Sequence, residues 1–301
     1  MGVLRPLFGS PEVDLHIVSS TPFLYIKGSR TLIMADLHLG FEEAASRGLS
    51  YSARKTPAAY SAVFLPRIQL KRALGLFDVA VDNVEVERVV INGDLKHAFD
   101  RLLKQEREEV VELIKHFRER GVGEVVVVRG NHDNFIKPVL RRLDVMFVSG
   151  FSTSIGAKKA LFVHGHEDVS LEEYDVVVIG HEHPSLKCFE VYRFPCFLKI
   201  PVEPGKVLVV MPATGPYHPG IVVTPNPQDY LSPLIRKLSD LGSMSIVTWI
   251  DLGEAPRSGI DYFEAVVATN LIKVERYAIS NREVAIVEFR DYETAHVLCM
   301  L

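Results

Sequence analysis

The chain has 301 residues, 48% of them hydrophobic and 24% charged, with a formal net charge of -4. That length and composition suit one large domain with a small appendage, or two modest domains, and exclude a disordered or fibrous chain. The charge balance gives no global attraction to phosphate polymers, so nucleic-acid binding has to come from a local patch or a bound metal.

Leu15 to Ser19, Phe23 to Lys27 and Thr31 to Ala35 are short β-rich runs separated by turn residues, which predicts an antiparallel start to a sheet. The third ends in Asp36-Leu37-His38, whose i, i+2 spacing lets both side chains face one metal if strand geometry persists. Phe41 to Arg47 has helical character and stops at Gly48. Arg47, Arg54 and Lys55 follow, either as a phosphate-facing rim or as a solvated loop. Pro57 to Leu76 is partly amphipathic and broken by Pro66, which predicts two helical pieces. Val86 to Ile91 is an apolar strand run that leads into Asn92-Gly93-Asp94-Leu95-Lys96-His97. A carboxylate beside a residue free to turn sharply, just past a strand end, is well placed to bridge two metal ions.

Phe99 to Arg120 reads as an amphipathic helix with a solvated charged face and a stop at Gly121. Glu124 to Arg129 is a valine run of the kind buried on both faces, and it ends in Gly130-Asn131-His132-Asp133. Pro138 to Leu143 predicts a short helix, and Asp144 to Val148 and Lys159 to Val163 predict strands, the second ending in His164-Gly165-His166. Asp175 to Ile179 is the next strand, ending in Gly180-His181-Glu182-His183. Lys187 to Ile200, Lys206 to Met211, Ile221 to Thr224 and Ser245 to Leu252 read as further strands, and Asp229 to Leu241 as a helix. Residues 253–260 read as a linker. Residues 261–301 predict a small β-β-α appendage: Leu271 to Ile279, a turn at Ser280-Asn281, Val284 to Phe289, and a helix from Tyr292. Part of it vaguely resembles an RNA-recognition motif, but the base-stacking positions fall on Val284 and Ile286. A docking or dimer-forming element is therefore expected rather than an RNA reader.

The three cysteines, Cys188, Cys196 and Cys299, form no CxxC pair and no even-numbered framework. That suits a reducing cytoplasm and argues against thiolate-held zinc, so metal is expected on oxygen and nitrogen. The first fourteen residues contain Arg5, Pro6, Pro11 and Glu12 and lack a signal-peptide core, and no run is apolar for long enough to span a bilayer. A soluble, cytoplasmic protein is expected.

Seven of the eleven histidines (His38, His97, His132, His164, His166, His181 and His183) follow strand ends, where open α/β sheets place their ligands. One such histidine is more often a core or surface residue than a ligand. Seven in matching places point to a metal centre.

In order, these motifs resemble the calcineurin-like metallophosphoesterase superfamily, whose pattern runs DxH, GDxx(D/H), GNH(D/E), H and GHxH. The resemblance implies a four-layer α-β-β-α sandwich of two mixed sheets flanked by helices, over residues 1–252. It implies one divalent ion on Asp36, His38, Asp94 and His183 and a second on Asp94, Asn131, His164 and His181. Manganese is the leading expectation, with iron or zinc as alternatives. The reaction implied is in-line attack on phosphorus by a hydroxide bridging the two ions. His132 matches the histidine that stabilises developing charge or protonates the leaving group, with Asp133 expected to orient it. His166 is expected at the substrate or as a partner to a ligand histidine.

His97 stands where the commoner pattern has Asp. Gly-Asp-Leu-Lys-His resembles the GDLFH form of double-strand-break repair nucleases. With Gly-His-Glu-His-Pro it also resembles a branch of phosphoesterases of which some members are encoded beside DNA ligases or helicases. This implies contact of His97 and Lys96 with the strand being cut, a DNA or RNA nuclease linked to repair, and a helicase or ligase partner. A homodimer through the C-terminal segment is a further expectation. The alternatives are a small-molecule (cyclic nucleotide) phosphodiesterase or phosphatase, and a metal-binding protein scaffold, which the full ligand set disfavours.

Overall fold

In the computed structural model, residues 3–53, 65–217, 220–253, 267, 270–279 and 282–300 are described, with the backbone alone over 48–53. The early β-branched runs pair in chain order: β1 (Leu4–Pro6), β2 (His16–Val18), β3 (Leu24–Ile26) and β4 (Thr31–Met34) are antiparallel neighbours. From there helices intervene, as parallel pairing requires. α1 (Phe41–Ala53) and α2 (Gln69–Val81) precede β5 (Arg88–Asn92), α3 (Lys104–Glu119) precedes β6 (Glu124–Val128), and α4 (Lys137–Arg142) precedes β7 (Met146–Val148). The strands β4 to β7 are parallel, completing a seven-stranded mixed sheet.

The second sheet takes β8 (Phe151–Ile155), β9 (Lys158–Phe162), β10 (Val176–Ile179), β11 (Ser185–Cys188), β12 (Tyr192–Glu203) and β13 (Lys206–Val210). After the short α5 (Pro233–Arg236) come β14 (Ser245–Asp251), β15 (Ile272–Ile279), β16 (Arg282–Phe289) and α6 (Tyr292–Met300). Its order is β15-β16-β14-β12-β13-β10-β9-β8, with β11 on β12, and β9, β10 and β13 run parallel.

Three apolar interfaces separate four layers. Val89, Ile91, Val125 and Val127 meet Phe77, Val110 and Phe117 of α2 and α3. Their alternates Val90, Val126 and Val128 face Phe162, Val178, Val209 and Val247 across the gap between the sheets. On the far side, Val177, Ile179, Leu208 and Ile246 pack on Leu234 and Ile235 of α5 and on Ala295 and Leu298 of α6. The period-2 alternation thus sends each strand's side chains into two interfaces, which is why these strands are apolar throughout. Each fully buried Val, Leu or Ile contributes about 1.5–3 kcal/mol of transfer free energy. The result is the α-β-β-α sandwich with two mixed sheets that the motifs imply.

Several elements differ from expectation. α1 continues through Gly48 to Ala53. α3 starts at Lys104, not Phe99: Leu103 is extended, and Glu106 accepts its N–H in a capping arrangement. Gln105, Glu106 and Glu109 on that helix are buried rather than solvated. The helix expected over Asp229 to Leu241 is reduced to a 3₁₀ turn (Pro227–Asp229) and α5, where Ser232 caps Leu234 immediately ahead of Pro233. The run from Lys187 divides at Phe189 and Glu190, both left-handed, into a hairpin. Of Ile221 to Thr224, Val222 makes a single bridge to Ser185. β1 and β8 were not anticipated. Arg54, Lys55, residues 57–64, 254–260 and the Ser280-Asn281 turn lie outside the described residues.

The cysteine reading needs correction. Cys188 at the end of β11 and Cys299 in α6 are disulfide-bonded across 111 residues because helix and strand pack together, and Cys196 is buried and free. Among the described residues no helix is long and apolar enough to cross a membrane.

Candidate metal centre

The loops that follow β4, β5, β6, β9 and β10 bring the candidate residues to one place at the junction of the two sheets. Beneath them Asn92 fastens sheet to sheet, donating through Nδ2 to Val163 O (3.0 Å) and Val178 O (3.2 Å). The chain then turns sharply. Asp36, His38, Asp94, His181 and His183 have φ of 55°, 47°, 49°, 69° and 47°, a left-handed conformation that costs about 1–2 kcal/mol for each non-glycine residue. Five such residues at one site mean that packing holds the loops in a conformation they would not adopt alone. Two glycines make the approach feasible. A Cβ on Gly93 (φ 91°) would lie 2.2 Å from the His164 ring, and one on Gly130 would lie 2.1 Å from Asp94 Oδ1.

The candidate ligands fall into two groups that meet at Asp94. In the first, His183 Nε2 is 3.1 Å from Asp36 Oδ1 and 3.4 Å from His38 Nε2, and His38 Nε2 is 3.6 Å from Asp94 Oδ2. In the second, His164 Nε2 is 3.3 Å from Asp94 Oδ2, 3.1 Å from Asn131 Oδ1 and 3.2 Å from His181 Nδ1. Asp36 also accepts the His181 N–H. Facing imidazole nitrogens this close repel unless a proton or a cation lies between them. With two buried carboxylates and an amide oxygen, the donor set fits divalent ions of intermediate hardness. The ligand atoms of Asp36, His38 and His183 lie within 4.8 Å of one another, and so do those of Asp94, His164 and His181.

At the mouth, His97 Nδ1 is 3.3 Å from His38 Nδ1 and its ring stacks on that of His132. His132 donates its N–H to Asp94 Oδ1 (3.0 Å), and its Nδ1 contacts the carbonyl oxygen of His97. That carbonyl, rather than Asp133, orients the His132 ring. Asp133 is buried and accepts backbone N–H bonds from Leu95 and Lys96 on Oδ1 and from Gly130 on Oδ2, bracing the two loops against each other. Lys96 is turned inward: its ammonium donates to Ala98 O and to Arg101 O (3.0 Å), and lies 4.0 Å from Glu106 with both side chains fully enclosed. Of Lys96 and His97, only His97 is partly exposed. His166 is half-buried beside the His164 ring (5.2 Å), with Nε2 3.4 Å from Glu167, and its Nδ1 is buried without a hydrogen-bond partner.

Charge divides unequally within the cluster. Burial disfavours charge on Asp94, but His164 foremost, with His38 and His132, holds its carboxyl far below the usual range. Burial likewise opposes protonation of His164, yet Asp94 and Asp36 raise it to about 9. His97 and His181 are each lowered to about 4, by burial and then by His132 and His164 respectively. Asp133 is raised to about 6 by burial and by the neighbouring Asp94 charge. A cationic centre would take over the role that the His164 proton plays here.

Sequence reasoning missed the residues that hold this cluster from behind. Glu106, buried, accepts the N–H groups of His97 (3.1 Å) and Ala98. Glu42 accepts those of Ile68 (2.8 Å) and Gln69 (3.0 Å), and Gln69 Nε2 reaches His38 O. Glu182, between the two histidines of its motif, accepts Leu231 N–H at 3.0 Å and the Ser232 N–H. On a helix or loop these glutamates look like ordinary solvated charges. Only their depth distinguishes them.

The model of the calcineurin-like phosphoesterase family matches residues 29–218. No curated protein matches the chain. Among solved structures, the chain is similar to a nuclease MPE from Pseudomonas putida, at 20% identity and a TM-score of 0.53, over 81% of this chain and 96% of that one. A protein of unknown function from Aquifex aeolicus is 14% identical with a TM-score of 0.32, over 51% of this chain and 78% of that one. Vacuolar Protein Sorting 29 from Cryptosporidium parvum is 17% identical with a TM-score of 0.31, over 87% and 97%.

Proposed function

The chain belongs to the calcineurin-like phosphoesterase family and is thereby a metal-dependent hydrolase of phosphoric esters; on that premise we propose that it is a binuclear phosphodiesterase that cuts DNA or RNA. The observation that carries the reading is the position of Asp94, whose Oδ2 lies 3.6 Å from His38 Nε2 and 3.3 Å from His164 Nε2, between the two donor groups. That position puts one carboxylate within reach of both groups, which supports a shared ligand. Asp36, His38, Asp94 and His183 are assigned to one ion and Asp94, Asn131, His164 and His181 to the other, with manganese the expected metal. When bound, the pair supplies Lewis acidity toward the phosphate oxygens and acidifies water toward neutral pH.

The chain's own residues do the rest. Asp94 ties the two groups together, and the left-handed loops fix the donors before substrate arrives. His132, with Nδ1 against the His97 carbonyl, is assigned to hold a proton at Nε2 for the departing oxygen. His97, at the mouth, is assigned to the flanking phosphate.

The polynucleotide substrate draws support from the Gly-Asp-Leu-Lys-His motif and from the structural neighbour, which is named a nuclease. A role in repair and a helicase or ligase partner belong to the same reading, since a net charge of -4 gives no global attraction to DNA and a partner would add to what a local patch supplies. The test is hydrolysis by metal-stripped protein, with manganese restored, of bis-p-nitrophenyl phosphate, p-nitrophenyl phosphate, 2',3'-cyclic nucleotide and DNA, with Asp94→Asn as blank. Cleavage of DNA and of the diester that the blank lacks is expected. Turnover of only the monoester or the cyclic nucleotide would transfer the assignment to a small-molecule enzyme.

A further inference from the structure

Two loops at the mouth of the metal centre turn aromatic side chains outward. Phe99, between β5 and α3, is 58% exposed, and Phe135, between β6 and α4, is 62% exposed. Single exposed apolar residues are ordinary on protein surfaces and need no function. These two differ in three respects.

They are held in place together. Asn134 Nδ2 donates to Phe99 O and to Asn131 O, both at 3.1 Å, so the two loops are tied to each other and to a candidate metal ligand. Phe135 also has φ of 66°, a conformation in which a bulky side chain is penalised and Gly or Asn would be at ease. Finally, Phe99 ends a row of rings across the mouth. Its ring stands edge-on to His132 at 5.9 Å, His132 stacks on His97 at 5.4 Å, His97 meets Phe41 at 4.9 Å, and Phe41 stacks on Tyr217 at 4.9 Å. Close to Phe135 in the chain, Arg129 and the α4 side chains Lys137, Arg141 and Arg142 are all exposed.

We propose that Phe99 and Phe135 form a stacking platform for an unpaired nucleobase beside the scissile phosphate, which makes single-stranded or locally opened polynucleotide the substrate. The proposal rests on the phosphodiesterase reading and narrows it. A base within a duplex has both faces occupied by its neighbours, whereas an unpaired base can lay a face on an exposed ring. The nearby cations suit the phosphates on either side of that base. Phe99 is the exposed end of that otherwise half-buried row of rings, so it places an open aromatic face next to His132 at the candidate centre.

The test compares kcat/KM of the manganese-loaded protein on oligothymidylate and on an oligonucleotide of the same length built of abasic residues, for the parent, Phe99→Ala/Phe135→Ala and Phe99→Trp/Phe135→Trp. Stacking of one base on an aromatic ring is worth about 5- to 150-fold, so the parent should prefer the base-bearing strand by a factor in that range. The alanine variant should lose the preference, and the tryptophan variant should keep it. The parent should also cut a single strand faster than the same sequence in duplex. Equal cutting of base-bearing and abasic strands by the parent overturns the platform without reference to any variant, as does an alanine variant that retains the parent's preference. A parent that hydrolyses bis-p-nitrophenyl phosphate but no oligonucleotide overturns the platform while leaving the phosphodiesterase intact. Inactivity toward that diester as well removes both.

Discussion

Asp94 combines a left-handed backbone, a buried carboxylate and contact with both histidine groups, so substitutions here separate charge from shape. Asp94→Asn keeps the volume and removes the shared negative charge. Loss of a metal ligand costs more than the roughly 10- to 100-fold typical of its outer partners, so manganese-dependent hydrolysis of bis-p-nitrophenyl phosphate should fall by more than about 100-fold. Gly130→Ala acts on the same carboxylate from outside, because the new Cβ would lie 2.1 Å from Oδ1 and 2.4 Å from the Asp94 backbone nitrogen. Overpacking of this kind destabilises by about 1–3 kcal/mol, and thermal unfolding together with metal content should both register it. Lys96 presents a choice between two roles. Its enclosed ammonium beside Glu106 predicts that Lys96→Met destabilises by about 3–5 kcal/mol, the cost of leaving a buried charge unpaired. A lysine that touched substrate would instead raise KM and leave the thermal midpoint in place. The candidate ligand residues that the structure brings together were legible as strand-end motifs, because metal chemistry restricts which side chains can serve. The buried glutamates, Phe99 and Phe135 were not, since nothing in a local sequence distinguishes a buried Glu106 from a solvated one.

At the scale of elements, β1 is fastened to the opposite sheet by charge. Arg5 donates through Nε to Glu275 of β15 (3.0 Å) and through Nη2 to Glu288 of β16, and Lys199 of β12 also pairs with Glu288. Burial would raise the Glu288 carboxyl, but Lys199 and Arg5 outweigh it and hold the group below its ordinary value of 4.5. A carboxyl depressed in the native state stabilises the fold above its unfolded value and ceases to do so as pH falls through the native one. The parent's thermal midpoint should therefore drop with acidification below about pH 4.5 more steeply than that of Glu288→Gln. The variant itself should be less stable at neutral pH by about 1–3 kcal/mol, because the half-buried Lys199 loses its carboxylate and the buried Arg5 keeps only Glu275. None of this could be read beforehand: Leu4–Pro6 is three residues long and contains a proline, a poor strand signal. By contrast, the runs that became β4, β5, β6, β9 and β10 were plain, being largely apolar and closed by glycine, aspartate or histidine. Phe99 was misplaced because its apolar side chain fits the helical period of α3, while the cap at Leu103 and Glu106 that excludes it needs the fold to be seen.

For the whole molecule, the four layers follow from strands apolar on both faces, whereas the pairing of β16 with β14, from Ile246 opposite Phe289 to Asp251 opposite Val284, is non-local and left no trace in either segment alone. The sandwich brings loops from both sheets to one edge, so the candidate centre spans the interface between them and its occupancy bears on the stability of the whole. Metal bound to the native state at about 100 times its Kd should add roughly 2.7 kcal/mol per site, and chelation should lower the thermal midpoint accordingly. The proposed chemistry needs two metal ions meeting at one carboxylate. It is tested most directly by the manganese content, measured by mass spectrometry after equilibrium dialysis, of the parent and of Asp94→Asn, with diester hydrolysis followed on the same samples. Two manganese ions per parent chain, and one or none in Asp94→Asn with hydrolysis falling in step, is the predicted result. A single ion in the parent, or two ions and undiminished hydrolysis in Asp94→Asn, would contradict it.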